Sequence, residues 1–190
     1  MADLPLKANI SDVTIPGAKF LPLSNAEKVR KFTEDSSLVP LPTQPQVMNP
    51  GQLNFVIKMV MTELIELLIT EGGREPYDEY DAHIVMRNLT REAITDHFTA
   101  HPEPYKRPTD PAAIIADQAD AMVDAMYYMY NAASKVGVDL DKVFEEVHQA
   151  NERKRGPDGK FQRRADGKIV KPPGWTEPDV ISVIKKQMNP

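Results

Sequence analysis

Two glutamates one helical turn apart lie in a strongly apolar stretch of the sequence. Glu63 and Glu66 are three residues apart, so on a helix their side chains point about 60° apart and share one face. The surrounding residues 51–75 contain no proline and are apolar on nearly every side of a helical wheel, which is typical of a helix buried on most sides. Because an unpaired buried carboxylate is costly, the two glutamates require a cation, a hydrogen-bond network or a water-filled cleft.

A second acidic stripe follows further along the chain. Asp117, Asp120 and Asp124 recur at spacings of three and four, and on a helix their directions fall within about 60° of one another. Like charges four residues apart destabilise a helix unless something neutralises them. A solvated acidic face would explain either stripe alone. Two such stripes on two mostly apolar helices, in a chain without cysteine, favour a magnesium site, with manganese as the alternative.

A basic segment follows the acidic helices. From Arg153 to Lys171 the chain has eight basic and two acidic residues, a local net charge of +6 in a chain whose total is -5. Carboxylates that hold a metal and cations that take the remaining charge are what a bound polyphosphate requires. A solvated tail, or a tail that contacts nucleic acid, is the alternative, although only Phe161 and Trp175 supply aromatic rings for stacking.

Taken in order, these motifs resemble the all-α nucleoside triphosphate pyrophosphohydrolases of the MazG type. A Glu-x-x-Glu element, an aspartate pair four residues apart, an Asn-x-x-Lys element and a later Gly-Lys pair match the pattern of that superfamily. The C-terminal signature is most similar to the phosphoribosyl-ATP pyrophosphohydrolase-like branch, which is common in phages. The resemblance covers roughly residues 28–72 and 112–178, and its clearest segments are Glu63–Glu66, Asp120–Tyr128, Gly137–Asp141, Val147–Lys154 and Asp166–Trp175.

The resemblance implies hydrolysis of a nucleoside triphosphate between its α and β phosphates, which releases a monophosphate and pyrophosphate. The implied magnesium ligands are Glu63, Glu66, Asp120 and Asp124. Ala121 stands where the family has a glutamate, which leaves Asp120 or Asp117 to substitute for it. Glu63 is also the implied catalytic residue, because a carboxylate of the metal cluster helps to remove a proton from the attacking water.

The resemblance also implies how the substrate is held. Asn151, Lys154 and Lys171 would bind the phosphates and stabilise charge on the departing pyrophosphate. A deoxynucleotide pool is the implied target, with dGTP or another purine deoxynucleotide favoured and phosphoribosyl-ATP less so. Family members form dimers or tetramers, so a homodimer or homotetramer is expected.

A different class of function fits the same residues. A non-catalytic helical oligomer could use its basic arm to bind nucleic acid or a protein partner. That alternative predicts steeply salt-dependent affinity for DNA or RNA and no need for a divalent metal. The acidic total charge makes nucleic acid the less favoured partner.

The placement of 17 prolines predicts the elements that must position these residues. Proline-free stretches at 51–75, 77–101 and 112–156 predict helices. The predicted caps are Asp110 and Asp139, and the predicted stops are Gly72-Gly73 and Gly137. Turn residues predict a small hairpin with arms at 160–164 and 168–171, and a final helix that starts at Thr176 or Glu177.

The predicted fold class is therefore all-α, with an extended N-terminal arm and a basic C-terminal arm that contains the hairpin. The resemblance implies that the helices form a MazG-like bundle. We expect a single domain over residues 1–190, divided into the arm 1–50, the helical core 51–156 and the basic arm 157–190. The absence of cysteine, of a leader and of an apolar run of about 18 residues favours a cytoplasmic protein, in the host cytoplasm if viral, with no membrane partner.

Overall fold

The computed structural model describes residues 22–70, 79–104, 108–164 and 168–189. Within these ranges the regular elements are six helices, so the predicted all-α class is confirmed. None of the described helices is long and apolar enough to cross a membrane. The helices are α1 (Asn25–Ser36), α2 (Pro50–Ile69), α3 (Glu79–Ala100), α4 (Pro111–Lys135), α5 (Leu140–Glu152) and α6 (Val180–Met188).

The predicted helices of the three proline-free stretches are all present, and the two predicted caps, Asp110 and Asp139, begin α4 and α5. The Asp110 carboxylate accepts a hydrogen bond from the backbone N–H of Ala113 at 3.3 Å, and the Asp139 carboxylate accepts one from Lys142 at 3.3 Å. Gly137 ends α4, because its φ of +77° lies in the left-handed region that side chains disfavour. The Gly72-Gly73 pair predicted to end α2 lies outside the described residues.

A helix lies within the N-terminal arm that was predicted to be extended. α1 begins with a capping box in which the Ser24 hydroxyl accepts from the backbone N–H of Glu27, and the Glu27 carboxylate accepts from the backbone N–H of Ser24 at 2.8 Å. The structure corrects the prediction for residues 25–36, because the prolines crowd around residues 40–50 and leave this stretch free to form helical hydrogen bonds. The Ser-x-x-Glu spacing is the sequence signal for this helix start.

The final helix starts later than predicted. Its cap is Asp179, whose carboxylate accepts from the backbone N–H of Ser182 at 3.1 Å, and not Thr176 or Glu177. Pro178 therefore lies before the cap and outside the helix. An aspartate is a stronger cap than the alternatives considered, because its short side chain reaches the exposed N–H groups of the first turn.

The described helices group into two compact units. The first contains α1, α5, α6 and the segment between α5 and α6, and the second contains α2, α3 and α4. In the first unit α5 packs against both α1 and α6. Lys28 of α1 forms an ion pair with Glu145 of α5, and the backbone N–H of Asp139 donates to the Gln187 side chain at 2.8 Å. The prediction of one domain over the whole chain stays a prediction.

The predicted hairpin is confirmed in the segment that follows α5. Arg163 and Ile169 form an antiparallel bridge, and the backbone N–H of Val170 donates to the carbonyl of Gln162 at 2.7 Å. Residues 165–167, which contain the predicted turn, lie outside the described part of the chain. The hairpin places residues 169–170 alongside residues 162–163.

The hairpin is held against α1. The rings of Phe32 and Phe161 meet edge to face at 4.9 Å between centroids. The Arg155 guanidinium donates to the Asp35 carboxylate at 2.8 Å, and Arg163 donates to the carbonyl of the last α1 residue at 2.8 Å. Hydrogen bonds from Arg155 and from a lysine of α1 lower the pKa of Asp35. The helix missed by the sequence prediction is therefore a structural support of the basic arm.

The second unit leaves most of its apolar surface exposed. α2 packs against α3. The side-chain oxygen of Gln118 in α4 accepts a hydrogen bond from the backbone N–H of Met48 at 3.0 Å. No residue of α2 or α4 is buried: Phe55 is 67% exposed and Val123 is 60% exposed. The expectation that α2 is buried on most sides is therefore not met within one chain, because α3 is the one described helix that packs against it.

Candidate active site

The glutamate pair lies on an exposed face of α2. Glu63 and Glu66 occupy adjacent positions along that face, and the side chains of both are exposed. Water therefore solvates both carboxylates, and the partner that a buried pair would have required is not needed. Two solvated carboxylates one turn apart are accessible to a hydrated cation.

The aspartates lie on successive turns of α4. Asp117, Asp120 and Asp124 are all exposed, and the 1.5 Å rise per residue separates the last two by about 6 Å along the helix axis. Asp117 also lines a cavity of about 540 Å³ together with Leu53 and Ile114. The two aspartates predicted as ligands therefore form a second exposed pair, and Asp117 lies at the edge of a mostly apolar cavity.

The donor chemistry of these pairs fits magnesium. Among the described residues, no three acidic or histidine side chains converge closely enough to hold a metal ion by themselves. Magnesium in proteins keeps several of its waters and takes one or two carboxylates together with phosphate oxygens. Each helix presents one such carboxylate pair, and the set of four ligands stays a prediction.

Two of the predicted phosphate-binding residues meet at the end of α5. Asn151 is in the last turn of the helix, and the Lys154 ammonium donates to its side-chain oxygen at 2.7 Å. In the described ranges, no carboxylate forms an ion pair with Lys154. Burial lowers the pKa of Lys154, and the positive charge of Lys171 lowers it further. Lys154 is thus a half-buried cation whose charge an anion would stabilise.

The third predicted phosphate-binding residue, at the end of the second hairpin arm, reaches the same place. The Lys171 ammonium lies 4.1 Å from the centroid of the Trp175 ring, and the Lys154 ammonium lies 5.6 Å from the same ring. The Glu177 carboxylate approaches Lys171 at 4.0 Å, with both side chains well exposed, so solvent screens this pair. The structure therefore brings all three predicted phosphate-binding residues together.

Other cations of the basic segment stabilise the fold. Arg153 forms an ion pair with Glu146 of α5 at 3.3 Å. Arg155 bridges Asp35 at 2.8 Å and Glu152 at 2.7 Å. The basic segment from Arg153 to Lys171 is therefore not a uniform anion-binding surface: Arg153 and Arg155 hold the first unit together, whereas Lys154 and Lys171 converge with little neutralising charge.

Trp175 is the residue of this cluster that the sequence reasoning did not assign. It ends a segment that carries the family resemblance and is one of two aromatic residues of the basic part of the chain, but no role was assigned to it. Its indole N–H donates to the carbonyl of Ala150 in α5 at 2.8 Å, which fixes the ring against the helix. The signal lay in the run from Lys171 to Trp175, where two prolines restrict the backbone and Gly174 adopts a φ of +79°.

Comparison with known proteins identifies the family and the fold. The family model described as "Phosphoribosyl-ATP pyrophosphohydrolase" matches residues 38–151, which is more than half of the chain. A crystal structure described as a "putative NTP pyrophosphohydrolase" from Exiguobacterium sp. 255-15 is similar over 87% of this chain and 96% of that chain, with a TM-score of 0.74 and 22% identity. At that identity the likeness shows the fold alone, and it confirms the predicted MazG-like bundle. No curated protein matches the chain.

Proposed function

The chain belongs to the phosphoribosyl-ATP pyrophosphohydrolase family, and from that premise we propose that it converts (d)NTP and water to (d)NMP and pyrophosphate with the help of magnesium. Membership makes the chain a hydrolase of phosphoanhydride bonds, in general terms an NTP pyrophosphohydrolase. The observation that carries the finer proposal is the convergence of Asn151, Lys154 and Lys171, which offers a polyphosphate two cations and an amide.

We assign the metal to the two exposed carboxylate pairs. The proposed ligands are Glu63, Glu66, Asp120 and Asp124. When bound, magnesium would neutralise phosphate charge and lower the pKa of a bound water. Manganese prefers the same oxygen donors and is the alternative metal. Asp117 is the reserve ligand, one turn before Asp120 on α4.

The protein side chains have distinct proposed roles. Glu63 is the proposed general base, an accessible carboxylate that takes a proton from the attacking water. Lys154 and Lys171 hold the phosphates, and Asn151 orients the Lys154 ammonium. Because negative charge grows on the departing pyrophosphate, cations that meet it stabilise the transition state more than the bound substrate.

We propose a deoxynucleotide pool as the target, with dGTP or another purine deoxynucleotide favoured. The support is the resemblance of the C-terminal segment to the phage-type branch, and such a role belongs in the cytoplasm, the host's if the chain is viral. Phosphoribosyl-ATP, which the family description names, is the second candidate substrate.

We further propose that the chain acts as a homodimer or homotetramer. The support is the apolar surface of α2 and α4, neither of which has a buried residue. On α4, Met126 is 58% exposed and Tyr127 is 72% exposed, which is unusual for large apolar side chains unless another subunit covers them. The alternative of a non-catalytic oligomer with a nucleic-acid-binding arm is weakened, because Arg153 and Arg155 are engaged within the fold.

The substrate is tested with a panel of the canonical dNTPs and NTPs and phosphoribosyl-ATP, each with magnesium, scored by pyrophosphate release. We expect the purine deoxynucleotides to have the highest kcat/KM. A preference for phosphoribosyl-ATP by an order of magnitude or more would contradict the proposed role in a deoxynucleotide pool while leaving the α–β cleavage intact.

A further inference from the structure

The single tryptophan of the chain lies where the Lys154 and Lys171 ammonium groups meet. We propose that Trp175 is a positioning residue whose ring holds the Lys154 and Lys171 ammonium groups together as one pyrophosphate-binding pair. The proposal rests on the proposed function for the identity of the anion. It assigns a role to a residue outside the predicted set of ligands and phosphate-binding side chains.

The ring is fixed from two directions. The indole N–H donates to the carbonyl of Ala150 at 2.8 Å, and Ala150 is only 1% exposed, so the acceptor belongs to the best-packed part of α5. The backbone N–H of Trp175 donates to the carbonyl of Pro172 at 3.0 Å, in a turn that the left-handed Gly174 closes. A ring held by both bonds has little freedom to move away from α5.

The two lysines need such a support because their charges repel each other. The face of an indole carries negative potential, and an ammonium group within about 6 Å of its centroid is attracted to it. The distances of 4.1 Å for Lys171 and 5.6 Å for Lys154 satisfy that condition. Lys171 is otherwise an exposed side chain, and its ion-pair partner Glu177 is itself 82% exposed.

Lys154 and Lys171 are 17 positions apart in the sequence, and their ammonium groups meet at one ring. Lys154 lies just after the end of α5, whereas Lys171 is the last residue of the second hairpin arm. The Trp175 ring therefore contacts both Lys154, next to the end of α5, and Lys171, on the basic arm. An anion with two phosphoryl groups can accept hydrogen bonds from both ammonium groups at once.

Pyrophosphate binding by the full-length protein in metal-free buffer tests the proposal. The affinity is measured by isothermal titration calorimetry for the wild type, Trp175→Phe and Trp175→Leu, with circular dichroism as the check on folding. We expect Trp175→Leu to weaken binding about tenfold, as the loss of two exposed cation–π contacts would. Trp175→Phe keeps an aromatic face and should stay within about threefold of the wild type.

Lysine variants connect the ring to its two partners. Quenching or enhancement of the single tryptophan's fluorescence reports pyrophosphate binding in the wild type, and Lys154→Met or Lys171→Met should abolish that response. The control Lys160→Met removes one positive charge from the hairpin and should keep the fluorescence response. A response that survives both of the first two variants would overturn the proposal.

The remaining outcomes separate the inference from the proposed function. Equal pyrophosphate affinity of the wild type and Trp175→Leu would overturn the positioning role. A folded Trp175→Phe variant that loses as much affinity as Trp175→Leu would overturn it too, because the hydrogen bond to Ala150, and not the aromatic face, would then be what matters. Absence of pyrophosphate binding by the wild type would also overturn it. If no nucleotide is hydrolysed but the predicted order of affinities holds, the positioning role stands and the proposed reaction fails.

Discussion

Asp124 carries the most direct test of the proposed chemistry at the scale of single residues. It is exposed on α4, so Asp124→Asn keeps the size of the side chain and should leave the helix intact. Because an amide oxygen binds a divalent cation more weakly than a carboxylate does, we expect kcat/KM for nucleotide hydrolysis to fall by about a hundredfold or more. Asp96→Asn, at an exposed position of α3, is the matched control and should retain wild-type turnover.

Near-normal pyrophosphate release by Asp124→Asn would contradict the metal assignment. Equal losses in Asp124→Asn and Asp96→Asn would indicate a general effect of charge, and would contradict it as well. Asp117→Asn distinguishes the reserve ligand: a loss as large as that of Asp120→Asn would identify Asp117 as a ligand in its own right.

Lys154 gives a prediction about pH. Burial and the charge of Lys171 lower its pKa below the ordinary lysine value of 10.5, so Lys154 loses its proton at a lower pH than an exposed lysine. Pyrophosphate affinity should therefore be highest at pH values below the lowered pKa, where Lys154 is protonated, and should fall as the pH rises through that pKa. Calorimetric titration of the wild type and Lys154→Arg across this range measures the effect, because the arginine keeps its charge and should give a flatter profile.

Identical pH profiles for the wild type and Lys154→Arg would show that Lys154 does not contribute its charge to the bound anion. A fall in affinity confined to pH values at or above 10.5 would contradict the lowered pKa.

At the scale of elements, α1 is predicted to stabilise the basic arm through its contact with the hairpin. Phe32→Ala removes the edge-to-face contact with Phe161 and the partly buried ring, so we expect the free energy of unfolding to fall by about 2 kcal/mol. Phe32→Leu keeps most of the apolar area and should cost less than half as much. Urea denaturation of the three proteins measures the difference, and unchanged stability of Phe32→Ala would show that α1 does not anchor the hairpin.

The element boundaries were predictable wherever a local interaction sets them. Asp110 and Asp139 cap the helices that they were predicted to cap, and Gly137 ends α4 with the backbone geometry that glycine permits. The high proline content of residues 1–50 predicts an extended arm and hides α1. The spacing of Ser24 and Glu27 is nevertheless a local signal for a helix start. The start of α6 was missed by a few residues because several polar residues in that segment can cap.

The surroundings of the side chains could not be predicted in the same way. Lys154, Lys171 and Trp175 come together only because the hairpin and the turn after it bring distant parts of the chain into contact. The exposure of α2 was also mispredicted, because a pattern of apolar residues shows that a face avoids water but not which surface covers it. Interactions within four or five residues leave a signal in the sequence, even where that signal was not used, as at Ser24 and Glu27, whereas contacts that depend on tertiary packing do not.

At the scale of the whole molecule, the exposed apolar face of α4 predicts self-association. We expect size-exclusion chromatography with light scattering to give two or four times the chain mass of 21.3 kDa at micromolar concentration. Met126→Lys places a charge in the proposed interface and should shift the protein toward the monomer. Ser134→Lys adds the same charge at an exposed polar position of α4 and should not.

A monomeric wild type would contradict the interface, and so would a Met126→Lys variant that keeps the wild-type mass. If the monomeric variant folds but loses nucleotide hydrolysis, the assembly is needed for activity as well as for covering apolar surface.

The central claim is that the chain cleaves a nucleoside triphosphate between its α and β phosphates in a metal-dependent reaction. ³¹P NMR of dGTP hydrolysis in the presence of magnesium tests it most directly, because it identifies both products in one sample. We predict equal amounts of dGMP and pyrophosphate, no signal for dGDP, and no reaction when EDTA is present or when Asp124→Asn replaces the wild type. Formation of dGDP and orthophosphate, or equal turnover with and without EDTA, would contradict the proposed reaction.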